Sequence, residues 1–171
     1  GGIKNGASLK AIQIGGPSGS LVPAAHSDLQ IDYEAFHKRH QIIGSGGMVV
    51  MDENTCILDM IKYFINFLQK ESCGKCIPCR EGTNRMYEIL QMITTRPKQN
   101  DKHESLTRFQ GVIQLENLAK VIKETSLCGL GKTAPNPVLS ALEWFREEFE
   151  EHVFERKCRA HVCKNLIEYV I

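Results

Sequence analysis

The sequence has no long apolar run, no excess of charge of one sign and no secretory signal at its start. Its strongest apolar stretches, Gly47–Met51 and Ile61–Leu68, are too short or too interrupted to cross a bilayer. The formal net charge is +1, so composition gives no electrostatic reason to expect binding to nucleic acid or to a membrane surface. These absences predict a cytoplasmic globular protein without nucleic-acid partners and without direct membrane insertion.

Disulfide bonds are also not expected, although cysteine is abundant. Seven cysteines occur in 171 residues, and an odd number in a chain without a secretory signal argues against a closed disulfide framework. The thiols should therefore be reduced. In a reducing compartment, a dense group of cysteines indicates a metal site or a redox site.

The first third of the chain reads as a small β module. Residues 1–54 are rich in glycine and contain short β-type runs at Leu9–Ile14 and Met48–Met51, with glycine-rich turn sequences after the first run and before the second. The chain begins without a methionine or an opening strand. We therefore interpret this module as partial, with its first elements lying upstream.

From about residue 55 onward, apolar residues recur at helical spacing. They predict four helices: one at about 55–70, one beginning just after Cys79, one around 113–122 and one at about 137–155. The apolar residues that mark them are Ile57, Met60, Ile61, Phe64, Phe67 and Leu68; Met86, Ile89, Leu90 and Ile93; Ile113, Leu115, Leu118, Val121 and Ile122; and Leu139, Leu142, Phe145 and Phe149. The predicted fold class is α+β, with a four-helix bundle over residues 55–152.

Three local signals refine the helix boundaries. Thr55 or Asn54 is placed to cap the first helix. The polar stretch from Pro97 to about residue 105 predicts a surface loop. Asn136 followed by proline predicts an N-cap and the first residue of the last helix.

Four of the cysteines have the spacing of an iron–sulfur site. Cys73, Cys76 and Cys79 are separated by two residues each, and Cys128 follows after a long gap. Three thiolates at that spacing can wrap one loop around a cubane [4Fe–4S] cluster, which a fourth ligand completes. Tetrahedral zinc prefers two separated pairs. The cluster is therefore favoured, with a structural zinc site or unrelated buried thiols as alternatives, and no residue is predicted to be catalytic.

The residues around the first three cysteines favour the same cluster. Gly74 permits a close backbone approach, and Pro78 stiffens the loop. A helix that starts beside Cys79 would direct its free N–H groups at an anionic cluster. Lys75 and Arg80 add positive charge, which favours the reduced state. We therefore expect Gly74, Lys75 and Arg80 to surround the cluster.

Three cysteines remain once four have been assigned to the cluster. Cys56 lies at the start of the first helix, and Cys158 and Cys163 lie in the tail, flanked by His152 and His161. If the tail folds back on the bundle, the three cysteines and one histidine would form a Cys₃His zinc site, with His152 as the first choice and His161 as the alternative. For Cys56 alone, the competing interpretation is a small buried apolar side chain.

The cysteine segments also carry a resemblance to a known family. SCGKCIPCREGT at 72–83 and TSLCGLGKTAPNPVLSALEWFREEF at 125–149 resemble the iron–sulfur bundle of the FMN- and NADH-binding subunit of respiratory NADH dehydrogenase. The resemblance is closer to the equivalent subunit of NAD(P)-reducing [FeFe]-hydrogenases and NAD-linked formate dehydrogenases. Upstream, LKAIQIGGPSGSLVP at 9–23 and IIGSGGMVVMDE at 42–53 resemble the soluble-ligand-binding β-grasp domain of the same family.

The tail extends the resemblance toward the hydrogenase-type relatives. ERKCRAHVCKNLIEYVI at 155–171 resembles the approach to a ferredoxin-like domain in those proteins, although Arg159 and His161 depart from the usual proline and glycine. The resemblance implies three parts: a partial β-grasp domain at 1–54, a bundle binding [4Fe–4S] at 55–152 and a tail at 153–171.

The resemblance implies an electron-transfer module of a flavin-dependent NAD(P)H diaphorase subunit. In such proteins NADH reduces FMN and the cubane passes single electrons on to other iron–sulfur subunits; Cys73, Cys76, Cys79 and Cys128 match the family's four ligands. The glycine-rich segments that hold FMN and NAD(P)H are not found in this sequence, so the chain alone should not turn over NADH.

Two alternatives to this function stay open at the level of sequence. The first is the same subunit of respiratory NADH:quinone dehydrogenase in place of a hydrogenase or formate dehydrogenase complex. The second belongs to another class: a zinc-stabilised structural or docking module without redox activity.

Overall fold

The computed structural model describes residues 2–39, 41–95, 104–163 and 166. Three strands form its sheet: β1 (Leu9–Ile14), β2 (Ser20–Pro23) and β3 (Met48–Asp52). The helices are α1 (Tyr33–Lys38), α2 (Ile57–Glu71), α3 (Ile77–Thr94), α4 (Glu104–Thr125), α5 (Gly129–Thr133), α6 (Asn136–Trp144) and α7 (Arg146–Glu150), and α7 continues as a π-helical turn at Glu151–Glu155. The predicted α+β fold class is confirmed.

The sheet is antiparallel, with strand order β2-β1-β3. Ile12 at the centre of β1 pairs with Val22 on one side and with Val50 on the other. The sequence predicted β1 and β3 but not β2, because β2 has four residues and ends on a proline. The turn between β1 and β2 requires glycine at Gly19, where a Cβ would collide with the backbone of Ile14.

The outer strand β3 presents apolar side chains to solvent. Met48, Val49 and Val50 are exposed, and among the described residues no strand pairs with the outer edge of β3. The opposite edge is covered, because the backbone N–H of Leu21 donates to Ser140 Oγ of α6 at 2.9 Å. The sheet is therefore fastened to the helices through β2.

The helices bury one continuous core. Met86, Ile89, Leu90 and Ile93 are buried, as their spacing in α3 predicts. The prediction for α4 is partly wrong, because Ile113 and Val121 are 44% and 51% exposed. The residues of α4 that enter the core are Val112, Leu115, Ala119 and Ile122, which follow one another at three or four positions.

Two predicted helix boundaries need correction. The second helix begins at Ile77 rather than after Cys79, because Pro78 fits the first turn, where its missing N–H is not needed. The predicted fourth helix over 137–155 is broken at Phe145, whose φ of −128° and ψ of 31° are not helical. A short α6, a short α7 and the π-helical turn replace it.

The predicted N-cap of the first long helix is also wrong. Cys56, not Thr55 or Asn54, is the N-cap of α2 and makes no side-chain cap. The carboxylate of Asp52 instead accepts hydrogen bonds from the Asn54 backbone and the Thr55 hydroxyl.

Asn136 is the first residue of α6 rather than its cap, and its side chain donates to the Ser18 carbonyl at 3.2 Å. The predicted loop at 97–105 lies mostly outside the described residues, and α4 has begun by residue 104.

The α3–α4 contact gives a prediction about packing. A Cβ at Gly82 of α3 would lie 2.5 Å from Cδ1 of the fully buried Ile122. A Cβ at Gly111 of α4 would press on the flexible end of Met92 and would make an ordinary contact of 3.4 Å with Ile89. We expect Gly82→Ala to lower the free energy of unfolding by about 1–3 kcal/mol through overpacking. Gly111→Ala is the matched control, and urea denaturation should show it neutral or stabilising, because alanine favours helix. Equal effects of the two changes would contradict this account.

Across the described ranges, none of the helices combines the length and the apolar character that a bilayer crossing requires.

Candidate metal centres

Three of the four predicted cluster cysteines lie in the connection between α2 and α3 and in the first turn of α3, a segment that we call the cysteine loop (residues 72–79). Cys76 is the N-cap of α3 and Cys79 lies in its first turn, while Cys128 is the N-cap of α5. Gly74 adopts a φ of +76°, which lets the loop turn sharply. The starts of α3 and α5 therefore both face this group, with the positive ends of their dipoles.

The four thiols are near enough to act on one another electrostatically. Burial raises the pKa of the Cys79 thiol, the Ser72 hydroxyl opposes that rise, and the charges of Cys76, Cys128 and Cys73 add to it. Hydrogen bonds from the backbone of Leu127 and of Cys79 lower the pKa of Cys76. The cysteine loop and the turn before α5 thus meet at one place.

The packing between the cysteine loop and the turn before α5 fits a cluster. A Cβ at Gly131 would lie 2.7 Å from Ser126 Oγ and 3.2 Å from Cys79 Cβ, so the two loops approach closely only with glycine here. Ser126 is buried, and within the described part of the chain its hydroxyl has no hydrogen-bond partner. A buried donor two residues before Cys128 suits sulfur ligands, which accept hydrogen bonds.

One face of this site is open. Cys79 is buried, but Cys73 and Cys128 are exposed. Beside them Ile77 is 66% and Leu127 is 80% exposed. A cluster held here would be close to the protein surface and rimmed by apolar side chains.

The three residues predicted to surround the cluster have different roles. Gly74 supplies the turn, and its carbonyl accepts a hydrogen bond of 2.8 Å from Arg80 Nη1. Arg80 also pairs with Glu81 at 2.7 Å, so it holds the loop rather than acting as a free charge. Lys75 is exposed on the loop.

The second group unites the remaining cysteines with a histidine. Cys56, His152, Cys158 and Cys163 are all buried, and their ligand atoms lie within 4.8 Å of one another. The structure selects His152; the alternative, His161, is exposed and lies outside the group. We refer to these four residues as the Cys₃His group.

Two of the separations within the Cys₃His group fit tetrahedral zinc. Two Zn–S bonds of about 2.3 Å at the tetrahedral angle separate their sulfurs by about 3.8 Å, and one Zn–S with one Zn–N bond separates the ligand atoms by about 3.6 Å. The Cys56 and Cys163 sulfurs are 3.8 Å apart, and Cys56 Sγ lies 3.5 Å from His152 Nε2. The three thiols and imidazole are also the donor set that zinc prefers.

The π-helical turn places His152 and the backbone fixes its tautomer. His152 Nδ1 lies 2.7 Å from the backbone carbonyl oxygen of Glu148, which can only accept, so Nδ1 carries the proton. Nε2 then presents a lone pair toward the Cys56 sulfur. This is the arrangement of a histidine ligand whose second nitrogen is held by the protein.

Glu148 is a residue that the sequence analysis did not single out. Its buried carboxylate pairs with Lys10 Nζ of β1 at 2.6 Å and accepts a hydrogen bond from the N–H of Ile57 at 3.3 Å. The side chain thus joins the sheet and the start of α2 to the helix that carries His152. Its position four residues before His152, on the same helix face, was the available signal.

Within the Cys₃His group, the pKa values of the two contacting thiols shift in opposite directions. A hydrogen bond from Cys163, opposed by burial and supported by His152, lowers the pKa of Cys56 to about 4. The same contact, together with burial, raises the pKa of Cys163. Burial alone would lower the pKa of His152, but the Cys56 sulfur outweighs it and raises that pKa. A lowered pKa at Cys56 favours the thiolate, which is the form that binds a metal ion.

Comparison with known proteins identifies the region that holds the first group. Residues 59–152 match the family model described as the NADH-ubiquinone oxidoreductase-F iron-sulfur binding region. That span contains all four cluster cysteines and His152, but none of the cysteines of the Cys₃His group.

Individual relatives extend the similarity to the rest of the chain. The HndC subunit of the NADP-reducing hydrogenase of Solidesulfovibrio fructosivorans is 47% identical over 171 residues, covering 100% of this chain and 33% of the relative. An NADH-quinone oxidoreductase subunit of Streptomyces coelicolor is 34% identical over 158 residues, covering 92% and 33%. The chain thus spans about a third of the length of these curated relatives.

A solved structure supports the same relationship. The crystal structure of an NAD⁺-reducing [NiFe]-hydrogenase in the H₂-reduced state superposes with a TM-score of 0.69 at 26% identity, covering 86% of this chain and 24% of that chain. The arrangement of sheet and helices is therefore shared with a known oxidoreductase.

Proposed function

The chain belongs to the family of the NADH-ubiquinone oxidoreductase-F iron-sulfur binding region, and from this premise we propose that it is the electron-transfer module of a flavin-dependent NAD(P)H oxidoreductase subunit. The observation that carries the proposal is the convergence of Cys73, Cys76, Cys79 and Cys128 at the starts of α3 and α5. Family membership supports the iron–sulfur assignment, and the geometry supports these four residues as its ligands.

When bound, a [4Fe–4S] cluster supplies one-electron redox chemistry. The chain's own residues hold and tune it: the four thiolates ligate iron, and the N–H groups of Leu127 and Cys79 stabilise negative charge at Cys76. Cys79, on the buried side, would shield the cluster from water. The exposed rim at Ile77 and Leu127 would let an electron donor or acceptor approach.

We place the donor and acceptor outside this chain. FMN and NAD(P)H would be held by another part of the full-length subunit. This agrees with the alignment, because the chain spans only about a third of the length of its curated relatives. The acceptors would be other iron–sulfur subunits of the complex. The 47% identity to a hydrogenase subunit, against 34% to a quinone-reductase subunit, favours a hydrogenase-type complex over the respiratory one.

We assign zinc to the Cys₃His group. The support is geometric: the Cys56–Cys163 and Cys56–His152 separations fit tetrahedral zinc, and His152 Nδ1 is held by the protein. Because all four ligands are buried and among themselves complete a tetrahedral set, the ion would be structural rather than catalytic. Its role would be to fasten the tail to the start of α2.

The predicted domain boundaries also stay proposals. Residues 1–54 would be part of a soluble-ligand-binding β-grasp domain, in agreement with the uncovered edge of β3. Residues 55–152 would be the iron–sulfur bundle, and 153–171 a tail that leads toward a ferredoxin-like domain. The free cysteines support a reducing, cytoplasmic location.

Anaerobic reconstitution with iron and sulfide tests the function. We expect about four irons and four sulfides per chain, and a broad visible absorption that dithionite bleaches with the appearance of an EPR signal. NADH alone should not bleach it. A colourless protein without a reducible EPR signal would refute the electron-transfer function.

The second candidate function is a zinc-stabilised docking module without redox activity. The Cys₃His group favours it, because such a site stabilises a fold without any cluster. Metal analysis of the purified chain separates the two functions. Zinc alone, with no iron retained after reconstitution, would favour the docking module, whereas zinc together with iron and sulfide would favour the electron-transfer module.

A further inference from the structure

One side-chain hydroxyl contacts a proposed cluster ligand directly. Ser72 is the C-cap of α2 and immediately precedes Cys73. Its Oγ lies 3.3 Å from Cys79 Sγ, within hydrogen-bonding distance for sulfur. Cys79 is the most buried of the four cysteines, so water compensates its charge least. Ser72 therefore faces the ligand whose charge a hydrogen-bond donor stabilises most.

The surroundings of Ser72 determine which atom donates. The backbone N–H of Gly74 donates to Ser72 Oγ at 3.3 Å and so occupies one acceptor position of the hydroxyl. A cysteine that ligates iron is a thiolate and has no proton to give. When Cys79 is a thiolate, the proton between the two side chains is that of the Ser72 hydroxyl, so the hydroxyl is the donor of this hydrogen bond.

A hydrogen bond to a ligand sulfur stabilises the reduced cluster more than the oxidised one. Reduction adds negative charge that spreads onto the ligand sulfurs, and a donor at the sulfur then gains strength. The expected consequence is a higher reduction potential, since potential depends on hydrogen bonds to the sulfurs.

We propose that Ser72 is a positioning residue of the cluster, whose hydroxyl donates to the Cys79 sulfur and raises the midpoint potential. The proposal rests on the function proposed above, because it requires a cluster at these cysteines. Under this proposal, a residue that is not a cluster ligand also determines how the module transfers electrons.

A redox titration monitored by EPR tests the role of Ser72 on the reconstituted 171-residue chain. Ser72→Ala removes the hydroxyl, and Ser72→Thr keeps it. Ser140→Ala is the matched control, because Ser140 is a buried serine whose hydroxyl bonds to the backbone of Leu21 and Asn136 rather than to a cysteine. Iron content is measured for each variant, so that only loaded protein is compared.

We expect Ser72→Ala to lower the ratio of reduced to oxidised cluster at least threefold at a fixed ambient potential near the midpoint. That corresponds to a downward shift of about 28 mV, since a tenfold change corresponds to about 59 mV for a one-electron couple. Ser72→Thr and Ser140→Ala should keep the wild-type potential.

The outcomes separate this inference from the function it rests on. A wild-type chain that holds no cluster would overturn both. A loaded Ser72→Ala variant with an unchanged potential would overturn the role of Ser72 alone. If Ser72→Ala fails to load, a wild-type potential in Ser72→Thr supports the role, and a threefold or larger fall in that variant's ratio of reduced to oxidised cluster overturns it.

Discussion

Replacing Cys128 with alanine is expected to remove more than half of the iron that the reconstituted chain binds and to abolish the EPR signal of the reduced cubane. Cys128 is exposed and lies at the N-cap of the short helix α5, so its side chain does not support the hydrophobic core. A loss of iron would therefore report a lost ligand and not a damaged fold. Iron and sulfide analysis together with EPR measure the effect.

The neighbouring residue provides the control for this experiment. The side chain of Leu127 is 80% exposed, and its hydrogen bond to Cys76 comes from its backbone N–H, which alanine keeps. Leu127→Ala should keep about four irons per chain, and circular dichroism should show the same helix content in both variants. Full iron loading of Cys128→Ala would show that the fourth ligand is a different residue.

Changing Cys158 and Cys163 together to serine is expected to reduce bound zinc from about one ion per chain to less than about a tenth. The free energy of unfolding should fall by at least about 3 kcal/mol, because metal binding stabilises the folded chain and two of the four ligands are lost. The bundle should still hold iron, since neither residue belongs to the cysteine loop. Metal analysis and urea denaturation under anaerobic conditions measure both effects.

His161 separates a specific site from a loose affinity of the tail for metal. It is the alternative ligand in the sequence, but in the structure it is exposed and outside the Cys₃His group. His161→Ala should retain zinc, whereas His152→Ala should lose it. Loss of zinc from His161→Ala with retention in His152→Ala would contradict the geometry described above.

The sequence predicted the chemistry of the two metal groups better than the shape of the fold that holds them. Cysteine spacing predicted Cys73, Cys76 and Cys79 as one group, because residues on one loop are close in sequence as well as in space. The Cys₃His group was predictable as a set of donors. The sequence favoured His152, but excluding the alternative His161 required the fold of the chain after Phe145.

The features that the sequence did not reveal depend on contacts between distant residues. The break at Phe145 and the π-helical turn place His152, yet local helical periodicity continues through both. Glu148 reads as one of several solvent-facing glutamates until the fold brings it to Lys10 on β1. In the sequence, Ser72 looks like an ordinary loop residue, because its contact with Cys79 depends on the turn at Gly74.

Helix α2 joins the two metal groups, since Cys56 is its N-cap and Ser72 its C-cap. Its 15 residues span about 22 Å at a rise of 1.5 Å per residue. Zinc has no redox chemistry, so an ion in the Cys₃His group would be electronically silent and could not exchange electrons with the cluster. The two groups are nevertheless connected through one helix, so a displacement at Cys56 would reach the cysteine loop along α2.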